Sequence, residues 1–358
     1  MARVVVVTGV SRHLGSRMAR ILSRETSIDR VIGVDIVPPR EDIGGAEFFR
    51  ADIRNPVISK VLVSTGADTV VHMGVISTPV QAGGRSTMKE INVIGSMQLL
   101  AACQRLDQIA KVIVKSSSTV YGSGPKDPAL FTEDTEPRHP PTSGWAKDSV
   151  DVEGYVRAFS RRRPDVCVTT LRFANFIGPK ADTPMAEYFA LPLVPTVLGH
   201  DARLQFIYED DGLEVIKRAT LSDHPGVFNV AGDEFLMLSQ AIRQAGKASI
   251  PVFEPFMGMV GGWVRRAGLG DFTPDQIRYL TYGRGLDTSK LVSQFGFTPR
   301  FTTPAAFAEF LRVQELPYSI PTDRIEALER NIAHALGSIT KTEGGSPLGT
   351  QEEMGAHG

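Results

Sequence analysis

The stretch ARVVVVTGVSRHLG, residues 2–15, decides the fold. Val4 to Val7 is a β-branched run of the kind that forms a parallel strand buried on both faces. Thr8-Gly9 ends it. From Gly15 onward Met18, Ala19, Ile21 and Leu22 fall on one helix face. A second strand, Arg30 to Val34, closes at Asp35, twenty residues after Gly15. Strand, glycine turn, helix, strand and acid in that order make the dinucleotide-binding unit of a doubly wound sheet. Backbone N–H groups at the turn and the helix N-terminus suit a pyrophosphate. The contacts expected there are Gly9, Arg12, His13, Leu14 and Gly15, with Asp35 on the adenosine ribose. Arg12 favours a 2′-phosphate and hence NADP. Asp35 repels that phosphate and favours NAD, which is ranked first because the acid lies where the ribose belongs.

The chain has 358 residues, 42% of them hydrophobic, and a formal net charge of -1. That length predicts one large α/β domain with a smaller attached region. The charge balance gives no reason to expect nucleic acid or an anionic membrane as a partner. Cys103 and Cys167 are the only cysteines, too few for a metal quartet or a disulfide framework. No metal site is expected. No apolar run reaches transmembrane length and the start does not read as a signal peptide, so a cytoplasmic protein is expected.

Further strands are expected at Glu47–Arg50, Thr69–His72, Lys111–Lys115, within 165–171, at Leu204–Tyr208 and at Gly226–Val230. The acid after the third strand, Asp52, suits an adenine amine or a helix cap, with Ile53 against the ring. Met73-Gly74 follows the fourth strand, where a small residue admits a cofactor. His72 reads as a packed core histidine. Asn92 sits inside a long helix expected from Ser86 to Leu106 and needs a partner. Ser116-Ser117-Ser118 closes the fifth strand, where α/β enzymes do chemistry. Lys147 opens a helix expected to reach Ala158. Helices are also expected at Asp211–Thr220, Phe235–Gly246, Asp287–Phe295 and Thr303–Val313. The acids Glu209-Asp210-Asp211 lack the spaced partners of a metal site. Phe256 to Leu269 is apolar and glycine-rich, suited to a pocket wall, a lid or a contact. The tail, 337–358, has the composition of a disordered segment.

These signatures together resemble the extended short-chain dehydrogenase/reductase family, and within it the NAD-dependent epimerase/dehydratase group that includes UDP-glucose 4-epimerases. TGVSRHLG resembles the TGxxGxxG cofactor loop, with Arg12 at its middle glycine. ADI at 51–53, NVIG at 92–95, SSSTVYG at 116–122, LRFANFIGP at 171–179, IYEDD at 207–211 and DTSKLVSQFGFTP at 287–299 resemble successive family segments. The resemblance implies a Rossmann doubly wound parallel sheet over 1–178 and a smaller C-terminal substrate region over 179–330, with Rossmann-side elements returning near 204–246. It implies Ser117 as the catalytic and substrate-binding hydroxyl, Lys147 on the nicotinamide ribose, Asn92 near the cofactor, and Asn175 on substrate. It also implies a homodimer built on the two long helices.

The family's YxxxK pattern is broken. Four residues before Lys147 stands Ser143, not tyrosine. A serine hydroxyl is shorter and far less acidic than a phenol, so it does not take over as proton acceptor unaided. Three accounts stay open: an oxidoreductase whose base is Tyr121, Tyr155, His139 or a water relayed by Ser143; an NAD-binding sensor, scaffold or partner protein without turnover; or a reaction that needs no such tyrosine. The family's phosphate-binding arginine falls on Leu204, and Arg203 is one position off, on the other face of a strand. The expected small-molecule substrate is therefore either a nucleotide-sugar or a more apolar hydroxyl compound.

Overall fold

The computed structural model describes residues 3–77, 83–180, 183–266, 273–314 and 316. Seven parallel strands form one sheet: β1 (Val4–Thr8), β2 (Arg30–Asp35), β3 (Glu47–Arg50), β4 (Thr69–His72), β5 (Lys111–Ser117), β6 (Cys167–Phe173) and Gly226–Val230. Their spatial order is β3-β2-β1-β4-β5-β6 and then Gly226–Val230 at the edge. Chain direction across the sheet therefore reverses between β1 and β4, which is where a doubly wound sheet opens a crevice.

The valine run buries both faces because successive side chains alternate. Val5 and Val7 pack with Met18, Ala19 and Leu22 of α1 (His13–Leu22) and with Val215 and Ile216 of the helix Glu209–Leu221. Val4 and Val6 pack on the other face with Ile58, Leu62, Leu99 and Val152. The same parity holds along β5, where Ile113 joins the first cluster and Val112 and Val114 the second. A third buried cluster, around Phe189, Leu204, Phe206, Tyr279, Phe307 and Phe310, is built from residues that follow β6.

Several elements differ from expectation. The long helix runs Arg85–Lys89, through a π-helical turn at Glu90–Gly95, to Ser96–Gln104. The helix opened by Gly144 continues to Arg162 rather than Ala158. The strand expected over 204–208 is two short pieces, Arg203–Leu204 and Phe206–Tyr208. Gln205 parts them, its buried side chain bonding Gly232 O at 2.9 Å and Leu286 N at 2.8 Å. Leu236–Met237 pairs antiparallel with Arg203–Leu204, so the following helix starts at Leu238. The helix expected over 287–295 is helical at Ser289 and Lys290 and π-helical over Leu291–Phe295, with Asp287 capping the Ser289 N–H ahead of it. Within the glycine-rich apolar stretch Met257–Arg266 is helical; 267–272 and the tail lie outside the described residues.

Candidate functional site

The turn after β1 and the segment after β4 meet backbone to backbone. Gly9 has a φ of 80°, and a Cβ there would stand 3.0 Å from the Gly74 Cα. A Cβ on Gly15 would stand 2.1 Å from the Gly9 carbonyl oxygen. Both positions admit only glycine without movement. The Gly9 N–H is fixed by Val34 O at 3.0 Å. Arg12 caps α1 with an extended backbone and no side-chain cap, which leaves the first helical N–H groups facing the crevice.

Asp35 lies at the rim of that crevice. Its Oδ2 accepts from Ser11 N at 2.9 Å and Ser11 Oγ at 2.7 Å, and its Oδ1 from Ile36 N at 2.7 Å. The cleft wall is made of Gly9, Arg12, Asp35, Ile53, Gly74 and Ile76. Met73 and Leu14 belong to the packing behind it, Met73 buried and Leu14 half-buried.

Two expected contacts have other partners. His13 turns its Nδ1 to Glu41 at 3.0 Å and its Nε2 to Glu209 at 3.2 Å. Burial alone lowers its pKa, but those two carboxylates outweigh it and the net shift is upward. Asp52 is held by Arg54 at 2.7 Å instead of standing free for an adenine amine. Ile53 lies under the long helix, where a Cβ on Gly95 would meet it at 2.8 Å.

Asn92 has its reason in the backbone it clamps. Its Oδ1 accepts from Ile76 N at 2.8 Å, its Nδ2 donates to Ile76 O at 2.9 Å, and the same amide reaches Asp148 Oδ2 at 3.2 Å. Asp148 is fully buried and forked by Arg85 at 2.6 and 2.7 Å. The loop after β4 is thereby tied to the helix that carries Lys147. His72 is buried between Thr8 Oγ1 and Ser96 Oγ, each at 2.7 Å. Burial, with the Lys115 cation second, pushes it down to about 4, so it is a neutral core histidine.

Beyond the crevice, β5 and β6 open into a cavity walled by Lys115, Ser117, Trp145, Asn175, Phe176 and Thr183. Ser117 is half-buried there and its Oγ accepts from Thr119 N at 3.2 Å. Ser116, one residue earlier, faces the opposite side and donates to Glu153 at 2.6 Å. Trp145 and Asn175 also wall a second cavity with Thr119, Asp275, Tyr279 and Arg284. Asn175 donates to the Tyr279 hydroxyl at 2.9 Å. The Thr119 hydroxyl is buried with no hydrogen-bond partner among the described residues.

Ser143 donates to Asp275 Oδ2 at 3.1 Å, and Lys147 is paired with Asp151 one helical turn on. Arg203 is not in these walls; it lies over the Phe235 ring. Two of the candidate bases are committed elsewhere. Tyr121 is buried, donates to Asn229 at 2.7 Å and accepts from Arg172 at 2.8 Å, and burial raises it to about 12. Tyr155 packs against the hydrophobic core beneath the sheet. His139 stands 4.0 Å from Asp127.

Sequence reasoning missed Lys115, Asp275 and Arg284. Arg284 is buried, with bonds to Gly122 O at 2.7 Å and Ser123 Oγ at 3.1 Å. Burial lowers its pKa to about 10. Only Lys115 had a local signal, as a charge inside an apolar strand in phase with Ser117. Among the described residues no cluster of three metal-ligating side chains occurs, and no helix is long and apolar enough to cross a membrane.

Residues 5–231 match the family described as NAD dependent epimerase/dehydratase. An uncharacterized protein of Mycobacterium tuberculosis is 46% identical over 336 residues, covering 91% of this chain and 88% of the relative. The UDP-glucose 4-epimerase of Neisseria meningitidis serogroup C is 28% identical over 188 residues, 49% of this chain and 53% of the relative. Among solved structures, UDP-glucuronic acid 4-epimerase from Bacillus cereus, in complex with UDP-glucuronic acid and NAD, superposes with a TM-score of 0.66 at 19% identity. That match covers 87% of this chain and 98% of the other. At that identity it establishes the fold.

Proposed function

The chain belongs to the NAD dependent epimerase/dehydratase family, and from that premise we propose that it is an NAD-dependent oxidoreductase acting on a hydroxyl-bearing carbon of a nucleotide-sugar. The observation that carries this is the backbone cradle, in which Gly9 touches Gly74 and Gly15 touches Gly9 with no room for a Cβ. A flat pyrophosphate crossing a helix N-terminus needs such a surface. NAD bound there would supply the hydride acceptor. Asp35, fixed by Ser11 and Ile36, accepts from ribose hydroxyls and disfavours a 2′-phosphate, so NAD is preferred to NADP. Arg12, His13, Leu14, Asp52, Ile53, Met73 and Asn92 support the cradle as neighbours, with Asn92 holding the loop after β4 in place.

Ser117 donates to the reacting oxygen of the substrate. Asn175, Trp145 and the unpartnered Thr119 hydroxyl offer the mixed apolar and polar wall that a sugar ring takes. Arg284 brings positive charge to the same cavity for an anionic substrate group, the part Arg203 cannot play from its place on Phe235. Lys147 orients the nicotinamide ribose once it exchanges Asp151 for it. A homodimer through Arg85–Gln104 and Gly144–Arg162 completes this reading, and light scattering tests it.

The test of function starts with the purified protein. It is denatured, and released nucleotide is identified by mass spectrometry. UDP-glucose, UDP-glucuronic acid and a hydroxysteroid are then offered with NAD, and NADH is followed at its absorbance. Bound NAD with reduction by a nucleotide-sugar is the expected result; no binding of NAD or NADP sinks the proposal. One observation favours a second reading, an NAD-binding protein without turnover: the residue four before Lys147 is a serine, already bonded to a carboxylate. Tight NAD retention with no hydride exchange on any substrate would select it.

A further inference from the structure

Lys115 is a cation where the cavity provides nothing to pair with it. Its side chain leaves β5 on the same face as Ser117, since the two are separated by one strand period. It walls the cavity that also holds Ser77, Ser117, Trp145, Asn175 and Thr183. Its Nζ lies 5.6 Å from the centre of the Phe176 ring. No hydrogen bond or ion pair joins it to any described residue, whereas the nearby Lys111, on the same face, is bonded to Thr220 O, Ser222 O and Asp223. The charged or titratable groups around it are Arg12, from the turn ahead of α1, and His72, from β4. No carboxylate is among the residues walling the cavity. Burial first, and the Arg12 guanidinium second, lower its ammonium to about 8. A half-buried amine without a counter-ion is therefore close to giving up its proton at neutral pH.

We propose that Lys115 is the proton acceptor of the hydride-transfer step, in the place left open by Ser143. This rests on the reading above that the cleft binds NAD. In the oxidising direction the substrate C–H bond breaks with its electron pair passing to NAD. The substrate O–H bond breaks with its proton passing to the neutral Lys115 Nζ, and the carbon–oxygen double bond forms. Neutral amine becomes ammonium, NAD becomes NADH, and the reverse step returns both. An amine titrating near the working pH is suited to both directions. The positive charge of oxidised nicotinamide nearby would keep the amine neutral before the step, and its loss on reduction would stabilise the ammonium after it.

The test needs no substrate at its first stage. Protein carrying 13C-labelled lysine is titrated by NMR with and without saturating NAD. The Lys115 resonance is assigned by its disappearance in Lys115→Met, or in Lys115→Arg if the first variant does not fold. A midpoint near 8 that moves down with NAD is expected. A midpoint in the ordinary lysine range in both states overturns the proposal and leaves the NAD reading standing. Absence of NAD binding by calorimetry instead overturns that reading, and the proposal with it. On any substrate the wild type oxidises, Lys115→Ala should lose about 100-fold or more in NADH formation, keep its affinity for NAD, and regain rate with added ethylamine. Full activity in Lys115→Ala overturns the proposal.

Discussion

The Ser143 hydroxyl donates to the Asp275 carboxylate at 3.1 Å, across 132 residues of chain. Ser143 is the residue before the helix Gly144–Arg162, and Asp275 lies in the first turn of the helix Pro274–Tyr282. On the proposed reading, in which Ser143 takes the place of the family's phenol, that place is bound to an acid of the helix Pro274–Tyr282. A tyrosine restored there would have its phenolate disfavoured by that neighbour.

Ser143→Tyr alone is therefore expected to give little gain in NADH formation from a nucleotide-sugar. The double variant Ser143→Tyr/Asp275→Asn should exceed it by about tenfold, the effect of one pKa unit on a general base. Rates measured for both variants on one substrate check this. Equal rates would show that Asp275 does not act on position 143.

The glycine cradle gives a binding prediction. Gly15→Ala places a methyl 2.1 Å from the Gly9 carbonyl oxygen, and relieving such an overlap costs about 1–3 kcal/mol. Calorimetry should show NAD affinity reduced by about tenfold or more. Gly258→Ala, within the helix Met257–Arg266 with nothing within 4 Å, is the control that should bind NAD as the wild type does.

Asp35 gives a specificity prediction. Asp35→Asn removes the charge that the proposed reading places against the ribose, and should narrow the preference for NAD over NADP that this reading predicts. The expected change is about tenfold, the loss of one charged repulsion of roughly 1.4 kcal/mol. Side-by-side titrations with the two nucleotides measure it, and an unchanged ratio would count against Asp35 as the discriminator.

Glu153 holds the buried Arg172 through three bonds at 2.7, 3.0 and 3.2 Å and accepts from Ser116 at 2.6 Å. Glu153→Ala leaves that guanidinium buried without its carboxylate, at a cost of about 3–5 kcal/mol. Urea unfolding should show the loss. Glu153→Gln, which keeps the shape, should lose less.

His13 gives a pH prediction. Its folded pKa is raised above 6.5 by Glu209 and Glu41 against the opposing effect of burial. The folded state then binds the proton more tightly than the unfolded one, so this contribution to stability is complete below 6.5. It disappears as the pH rises through the elevated value. The wild type should therefore exceed His13→Gln in unfolding free energy at pH 6, with the gap closing on the alkaline side. A gap independent of pH would mean the ring acts by packing alone.

The fold was legible because its signals are local. The valine run, the Gly9–Gly15 turn and the acid at Asp35 each announce themselves within a few residues, and the seven strands fall where alternation and apolar runs put them. The cavity walls were legible only in part. Ser117, Asn175 and Trp145 sit in recognisable segments. Asp275 and Arg284 come from a stretch with no periodic cue, and only the folding of the C-terminal part against α/β loops brings them to Ser143 and Thr119. His13 and Asp52 were read from their place in the turn and strand end, but their partners, Glu41, Glu209 and Arg54, arise from packing that spacing does not reveal. Lys115 is the instructive case. Its register with Ser117 is visible in the sequence, yet its isolation from carboxylates is a property of the folded cavity.

The π-helical turn at Glu90–Gly95 accommodates one residue more than an α-helical turn would hold. Asn92 lies before its end and Ser96 after it, so the helix has two rotational phases, one set by the loop at Ile76 and one by His72 and the core. Holding the same residues as ordinary α-helix would turn the segment beyond Gly95 by about 100° relative to the one before it. Leu99, Leu100 and Cys103 could then keep their burial only if Asn92 swung away from Ile76. The extra residue works like a vernier: it lets the two ends of one rod be aligned separately, one to the sheet and one to the crevice.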